Sequence, residues 1–148
     1  MVERAAAKLG LRWKRPPWRR FAVARGEAGG IPLLLVKPLT YMNASGEVLA
    51  AVLRRGRATL RDVVVVCDSL DLPTGHCRLR TRGSAGGQKG LESLLRRAGT
   101  TDVVRLVVGI GRPGSRDDVV SHVLGRPGPA ESAAIESAVE QAVDALLR

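Results

Sequence analysis

A three-layer α/β/α domain, with helices on both faces of a central mixed sheet, is the fold this sequence predicts. Apolar runs at residues 31–36, 63–67 and 103–110 read as buried strands. Amphipathic stretches at 48–53, 91–97 and 135–146 interleave with them at helical spacing. The tight turn Glu27-Ala28-Gly29-Gly30 joins two strand-like segments and so brings antiparallel pairing into the sheet. Strands alternating with helices over 148 residues make one domain, residues 1–148.

Taken in order, residues 2–11 form a short helix with Ala5, Ala6 and Leu9 on its apolar side, and residues 14–17 form a basic turn carrying two prolines. Residues 18–25 alternate as a strand with Phe21 and Val23 on one face, and the 27–30 turn leads into the 31–36 strand. Asn43 or Ser45 caps a helix that runs to Arg55 and that Gly56 closes. The 63–67 strand ends on Asp68. Residues 76–82 then alternate, with Cys77, Leu79 and Thr81 on one face and His76, Arg78, Arg80 and Arg82 on the other, predicting a half-buried strand with one basic face. The glycine-rich loop Gly83-Ser84-Ala85-Gly86-Gly87-Gln88-Lys89-Gly90 leads into the 91–97 helix. The 103–110 run is a central strand, Asp117 starts a short helix through Leu124, and Pro129 and Glu131 open the last helix. That helix carries Ile135, Val139, Val143 and Leu146 on one side and Glu136, Glu140 and Asp144 on the other.

Twenty-four Lys and Arg against fourteen Asp and Glu give a formal charge of +10. Such a balance favours a polyanionic partner, nucleic acid first, with an arginine-rich solubilising surface as the alternative. One Phe and one Tyr argue against base stacking as the main binding mode and for contacts to phosphates. Cys67 and Cys77 are too few for a disulfide framework and lack a zinc spacing, so no metal is expected. No secretory or membrane segment is evident, which fits a soluble, reducing compartment.

Asp68, a carboxylate at a strand end, suits orienting a histidine, holding a cation or acting as a base; the alternative is a turn cap. Asn43 suits positioning a water or a carbonyl, or capping the helix. Lys89 suits a phosphate, or is a solvated loop charge. The glycine-rich loop lets backbone N–H groups approach a ligand, although its order matches neither the dinucleotide fingerprint nor the Walker loop. His76 and His122 lack an evident carboxylate partner, so no catalytic histidine is identified.

Four segments in register resemble bacterial-type peptidyl-tRNA hydrolases: Lys37-Pro38-Leu39-Thr40-Tyr41-Met42-Asn43 with Ser45-Gly46; Asp68 with Leu70-Asp71-Leu72-Pro73; the 83–90 loop; and Arg105-Leu106 with Val108-Gly109-Ile110-Gly111-Arg112-Pro113. The resemblance implies hydrolysis of the ester joining a peptide to tRNA, without metal or cofactor, by a monomeric cytoplasmic enzyme that recycles tRNA during translation. It implies that Asn43 holds the peptide and the attacking water, that Tyr41, Met42, Gly87 and Lys89 line the substrate channel, and that Asp68 orients a catalytic histidine. It also implies that Arg78, Arg80 and Lys89 grip the phosphates of the tRNA acceptor stem. Relative to the family pattern, Gln88 and Lys89 stand in place of His and Asn, Ser69 replaces an acidic residue, and Val107 replaces an arginine. The family's first strand, its Gly-Asn-Pro-Gly turn and its Thr-Arg-His-Asn segment have no counterpart here, which implies a gap in the sheet. A catalytically silent tRNA-binding relative and a non-enzymatic interaction module are the alternative readings.

Overall fold

The computed structural model describes residues 1–115 and 119–147. Strands β1 (Phe21–Ala28) and β2 (Ile31–Pro38) form an antiparallel hairpin running from Phe21 opposite Pro38 to Ala28 opposite Ile31. Gly29 and Gly30 both have positive φ, as a two-residue turn matched to strand twist requires. Strand β3 (Val64–Ser69) lies parallel to β5 (Val104–Gly109), and the short β4 (Cys77–Arg80) lies antiparallel to β5 on its other side. The strands therefore fall into two hydrogen-bonded groups, β1-β2 and β3-β5-β4, of the mixed sheet that was expected with a gap. Among the described residues, one edge of β2 and one edge of β3 pair with no strand, the interruption that the family resemblance implied.

Both faces of the hairpin and of the β3–β5 pair are covered. Side-chain alternation sends Ala24 and Leu35 toward α1 (Val2–Lys8) and α5 (Pro129–Leu146), where they meet Ala5, Ala6 and the fully buried Val143. The intervening positions Phe21 and Val23 pack with Val48, Leu34, Val36 and Val52 on the opposite side. In the second sheet, Val65 and Cys67 meet Leu91 and Leu95 of α3 (Lys89–Ala98), while α5 covers the other face and accepts a contact from Cys77 Sγ at the Ala138 carbonyl, 3.6 Å away. Helix α5 thus spans both sheets. Its acidic side is matched by α1: Arg4 pairs with Glu136 and Glu140, and Lys8 with Glu140 and Asp144.

Several expected details change. Residues 43–48 do not start an α-helix: Met42–Val48 is a 3₁₀ segment, and α2 is Leu49–Gly56. Neither Asn43 nor Ser45 caps it, because the segment is instead pinned to α3. The Gly46 N–H donates to Ser93 Oγ at 3.0 Å, and a Cβ at Gly46 would lie 2.2 Å from the Ser93 carbonyl oxygen. Gly56 is the last helical residue rather than the closing one. Closure falls to Arg57 in the left-handed region, with Ala58 N–H donating to Leu53 O and Arg57 N–H to Arg54 O. Strand β4 is exposed on both faces, with Leu79 59% exposed, because it is an edge strand beyond which no layer continues. Leu146 is also exposed; Ala138, Ala142 and Val143 bury the α5 face. Helix α4 is Val119–Leu124, and the expected start at Asp117 lies outside the described residues.

Candidate active site and nucleic-acid face

Parallel pairing of β3 with β5 carries Asp68 to the C-terminal end of the strands, the edge where open α/β sheets bind ligands. The side chain that meets it comes from the glycine-rich loop. Gln88 caps α3, its Oε1 accepting the Leu91 N–H at 2.6 Å. That acceptor role fixes the amide's orientation, so Nε2 faces Asp68 and donates to Oδ1 at 3.1 Å. The same nitrogen lies 4.0 Å from Met42 Sδ. One glutamine therefore joins β3, the 3₁₀ segment and α3, three of the four sequence motifs. Gly90 makes the junction close, since a Cβ there would meet Met42 Sδ at 2.6 Å. The Oδ2 of Asp68 has no hydrogen bond to another described residue. Beside it, burial first and the Asp68 charge second push the Cys67 thiol above its ordinary value, so it stays protonated at neutral pH.

The other expected site residues divide into two groups. Tyr41, Met42 and Asn43 sit exposed at the start of the 3₁₀ segment, and the Asn43 amide makes no hydrogen bond to another described residue. Met42 reaches Gln88, and through it Asp68. Gly87, in the left-handed region with open space around it, belongs to the loop before Gln88. Lys89 shares no contact with Asp68: its ammonium points to Glu92, 3.4 Å away on the first turn of α3. The histidines are engaged elsewhere, His76 Nδ1 with the Thr74 carbonyl at 3.3 Å and His122 Nε2 with the Ile110 carbonyl at 2.9 Å. Among the described residues, no cluster of three or more His, Cys, Asp or Glu could hold a metal ion.

Arg78 and Arg80 project from the β4 edge with no acidic partner among the described residues. Residues two apart on a strand are about 7 Å apart, and two such charges repel by roughly 0.6 kcal/mol in water. A phosphate between them would remove that repulsion. Arg105, directly across from Arg80, behaves differently. It is 2% exposed and donates to the carbonyls of Ser84 (2.7 Å), Gly83 and Thr101 (3.3 Å). A buried arginine thereby shapes the glycine-rich loop from beneath.

Sequence reasoning missed the structural roles of Gln88 and Arg105. Gln88 gave no local signal, because glutamine is not among the residues preferred at a helix N-cap. No local signal marks Arg105, because arginines in strands are ordinarily at the surface.

The family model described as peptidyl-tRNA hydrolase matches residues 1–148. The chain is 44% identical over 144 residues to the peptidyl-tRNA hydrolase of Brevibacillus brevis, covering 95% of this chain and 76% of that protein. It is 42% identical over 126 residues to that of Aquifex aeolicus, covering 85% and 66%, and 48% identical over 120 residues to that of Bacillus subtilis, covering 81% and 64%. The chain thus spans about two thirds of the length of these relatives. The crystal structure of peptidyl-tRNA hydrolase from Acinetobacter baumannii superposes with a TM-score of 0.91 at 32% identity, covering 99% of this chain and 75% of that one. Motifs, fold and relatives agree: the chain belongs to the peptidyl-tRNA hydrolase family.

Proposed function

We propose that this chain binds peptidyl-tRNA and hydrolyses the ester between the peptide and the tRNA 3′ end. The observation that carries the reading is the Asp68–Gln88–Met42 junction, which assembles three of the motifs shared with the family at one sheet edge. In this reading Gln88 fixes one carboxylate oxygen of Asp68. The remaining oxygen accepts a hydrogen bond from the group that activates water, an imidazole or the water itself. Asn43, with its amide unengaged, orients the attacking water and the peptide carbonyl. Tyr41, Met42 and Gly87 line the path of the peptide. Arg78 and Arg80 take acceptor-stem phosphates, and Lys89 takes a phosphate in exchange for its exposed pairing with Glu92. No helix among the described residues is long and apolar enough to cross a membrane. We assign the chain to the cytoplasm, acting as a monomer on tRNA during translation.

A second reading has a specific observation behind it: neither described histidine contacts Asp68. A relative that binds tRNA without cleaving it would fit that arrangement. A peptidyl-tRNA cleavage assay, run beside a filter-binding titration across salt concentrations, separates the two. Cleavage that fails in Asp68→Ala supports the hydrolase. Salt-sensitive binding without cleavage supports the silent relative, and neither activity removes both.

A further inference from the structure

The turn before β1 carries a feature that the site above does not use. Trp18 is fully exposed, at 101% of its reference surface, and has a φ of 59°. Arg19 N–H donates to the Pro16 carbonyl at 3.2 Å, so Trp18 holds the third position of a tight turn, where positive φ normally selects glycine. A large aromatic side chain is there at the expense of both backbone strain and hydration. The other tryptophan, Trp13, is half-buried with the Lys37 ammonium 4.2 Å from its ring centroid; Trp18 makes no such contact among the described residues.

Its surroundings are cationic. No acidic residue occurs between Glu3 and Glu27, while Arg12, Lys14, Arg15, Arg19 and Arg20 crowd residues 12–20. Of these only Arg20 has an ion-pair partner among the described residues, Glu47. Arg19 also lines a surface depression with Arg54 and Arg55 from the end of α2, which extends the charge. The turn adjoins the candidate site, because Leu39 N–H donates to the Arg20 carbonyl and Glu47 lies on the 3₁₀ segment.

We infer that Trp18 is a stacking platform for an unpaired nucleotide, with Arg15, Arg19 and the Arg54–Arg55 pair holding the flanking phosphates. A π-face flanked by guanidinium groups that are unpaired among the described residues fits a single-stranded polynucleotide, which offers flat bases and negative charge at adjacent positions. A membrane surface would call for several apolar side chains inserting together, whereas here one ring stands among arginines. The assignment goes beyond ester hydrolysis and does not depend on it.

The test uses an unacylated ten-nucleotide oligouridylate and a blunt RNA duplex of the same length. In a Trp13→Phe background, where Trp18 is the one tryptophan, the single strand should quench fluorescence and the duplex should not. Trp18→Gly suits the turn's backbone, so its Tm should equal or exceed that of the parent. Its affinity for the single strand should fall roughly 5- to 150-fold, with an unchanged salt slope, and Trp18→Phe should recover most of it. Unchanged affinity in Trp18→Gly, equal quenching by duplex, or a Trp18 emission shift induced by phosphatidylglycerol vesicles but not by the single strand would each overturn the assignment.

Discussion

The crevice at Asp68 and the ridge on β4 belong to the same three-stranded sheet, yet they hold their polar groups by opposite means. Asp68 and Gln88 are partly buried, joined at 3.1 Å, and braced by the α3 cap and by the contact to Met42. Arg78 and Arg80 stand on an edge strand in solvent with no ion-pair partner among the described residues. The proposed chemistry on an ester would require groups fixed within fractions of an ångström, which partial burial and a second hydrogen bond favour. The proposed capture of a polyanion would require only charge at the right distance, which exposed side chains supply at long range and with strong salt dependence. Arg105 lies between the two regimes. It is a cation of the basic middle of the chain turned inward, where it holds the loop that carries Gln88.

Breaking the crevice should have the largest effect. Asp68→Ala is expected to reduce peptidyl-tRNA cleavage by about 10²–10⁴-fold, measured as initial rate. Removing the brace beneath the loop comes next. Arg105→Met removes the hydrogen bonds that hold the Gly83 and Ser84 carbonyls and should cost roughly 1.5–3 kcal/mol of stability, seen as a lower urea midpoint and weaker cleavage together. Gln88→Leu separates the contributions within the crevice. Loss of the cap should cost about 1 kcal/mol, and a freed Asp68 should lower the cleavage rate with little change in tRNA affinity. The companion Gln88→Glu places a second carboxylate against Asp68, so one of the pair should titrate higher and the rate profile should move to higher pH. An unmoved profile would show that the contact is absent in solution.

On the ridge, Arg78→Ala with Arg80→Ala should reduce the slope of log affinity against log salt by about 1.4–1.8, two phosphate contacts at 0.7–0.9 each. The smallest effect lies far from both regions. Hydrogen bonds from Lys8 to Asp144, then to Glu140, raise its ammonium above 10.5. A group raised on folding stabilises the fold below its unfolded value and loses that contribution as pH climbs through the raised one. Thermal scans should therefore show the parent converging on Lys8→Met above pH 10.5, by a degree or so, with no convergence at neutral pH.

The same contrast explains what the sequence disclosed. The apolar run of β5 reflects burial along nearly its whole length, those of β2 and β3 reflect partial burial, and Gly29-Gly30 marked the hairpin through backbone geometry. Alternation in residues 76–82 could not separate a half-buried strand from an edge strand, since Cys77 and Leu79 fit either. Splitting into two sheets depends on which edges meet, and that is not encoded in any one segment. Among the proposed site residues, Asp68 was legible as a carboxylate at a strand end and Asn43 as an amide in the turn between a strand and a helix. Gln88 was not, because its partner lies 20 residues away and the capping role gives no hint of a second bond.

The most direct test measures single-turnover cleavage and tRNA affinity side by side in Asp68→Ala and in the Arg78→Ala, Arg80→Ala pair. Separate roles predict that the first variant keeps its affinity and loses its saturated rate, while the second loses affinity and keeps that rate. Should both variants lose both properties in equal measure, or should Asp68→Ala cleave at the parental rate, the division of labour between crevice and ridge would be wrong.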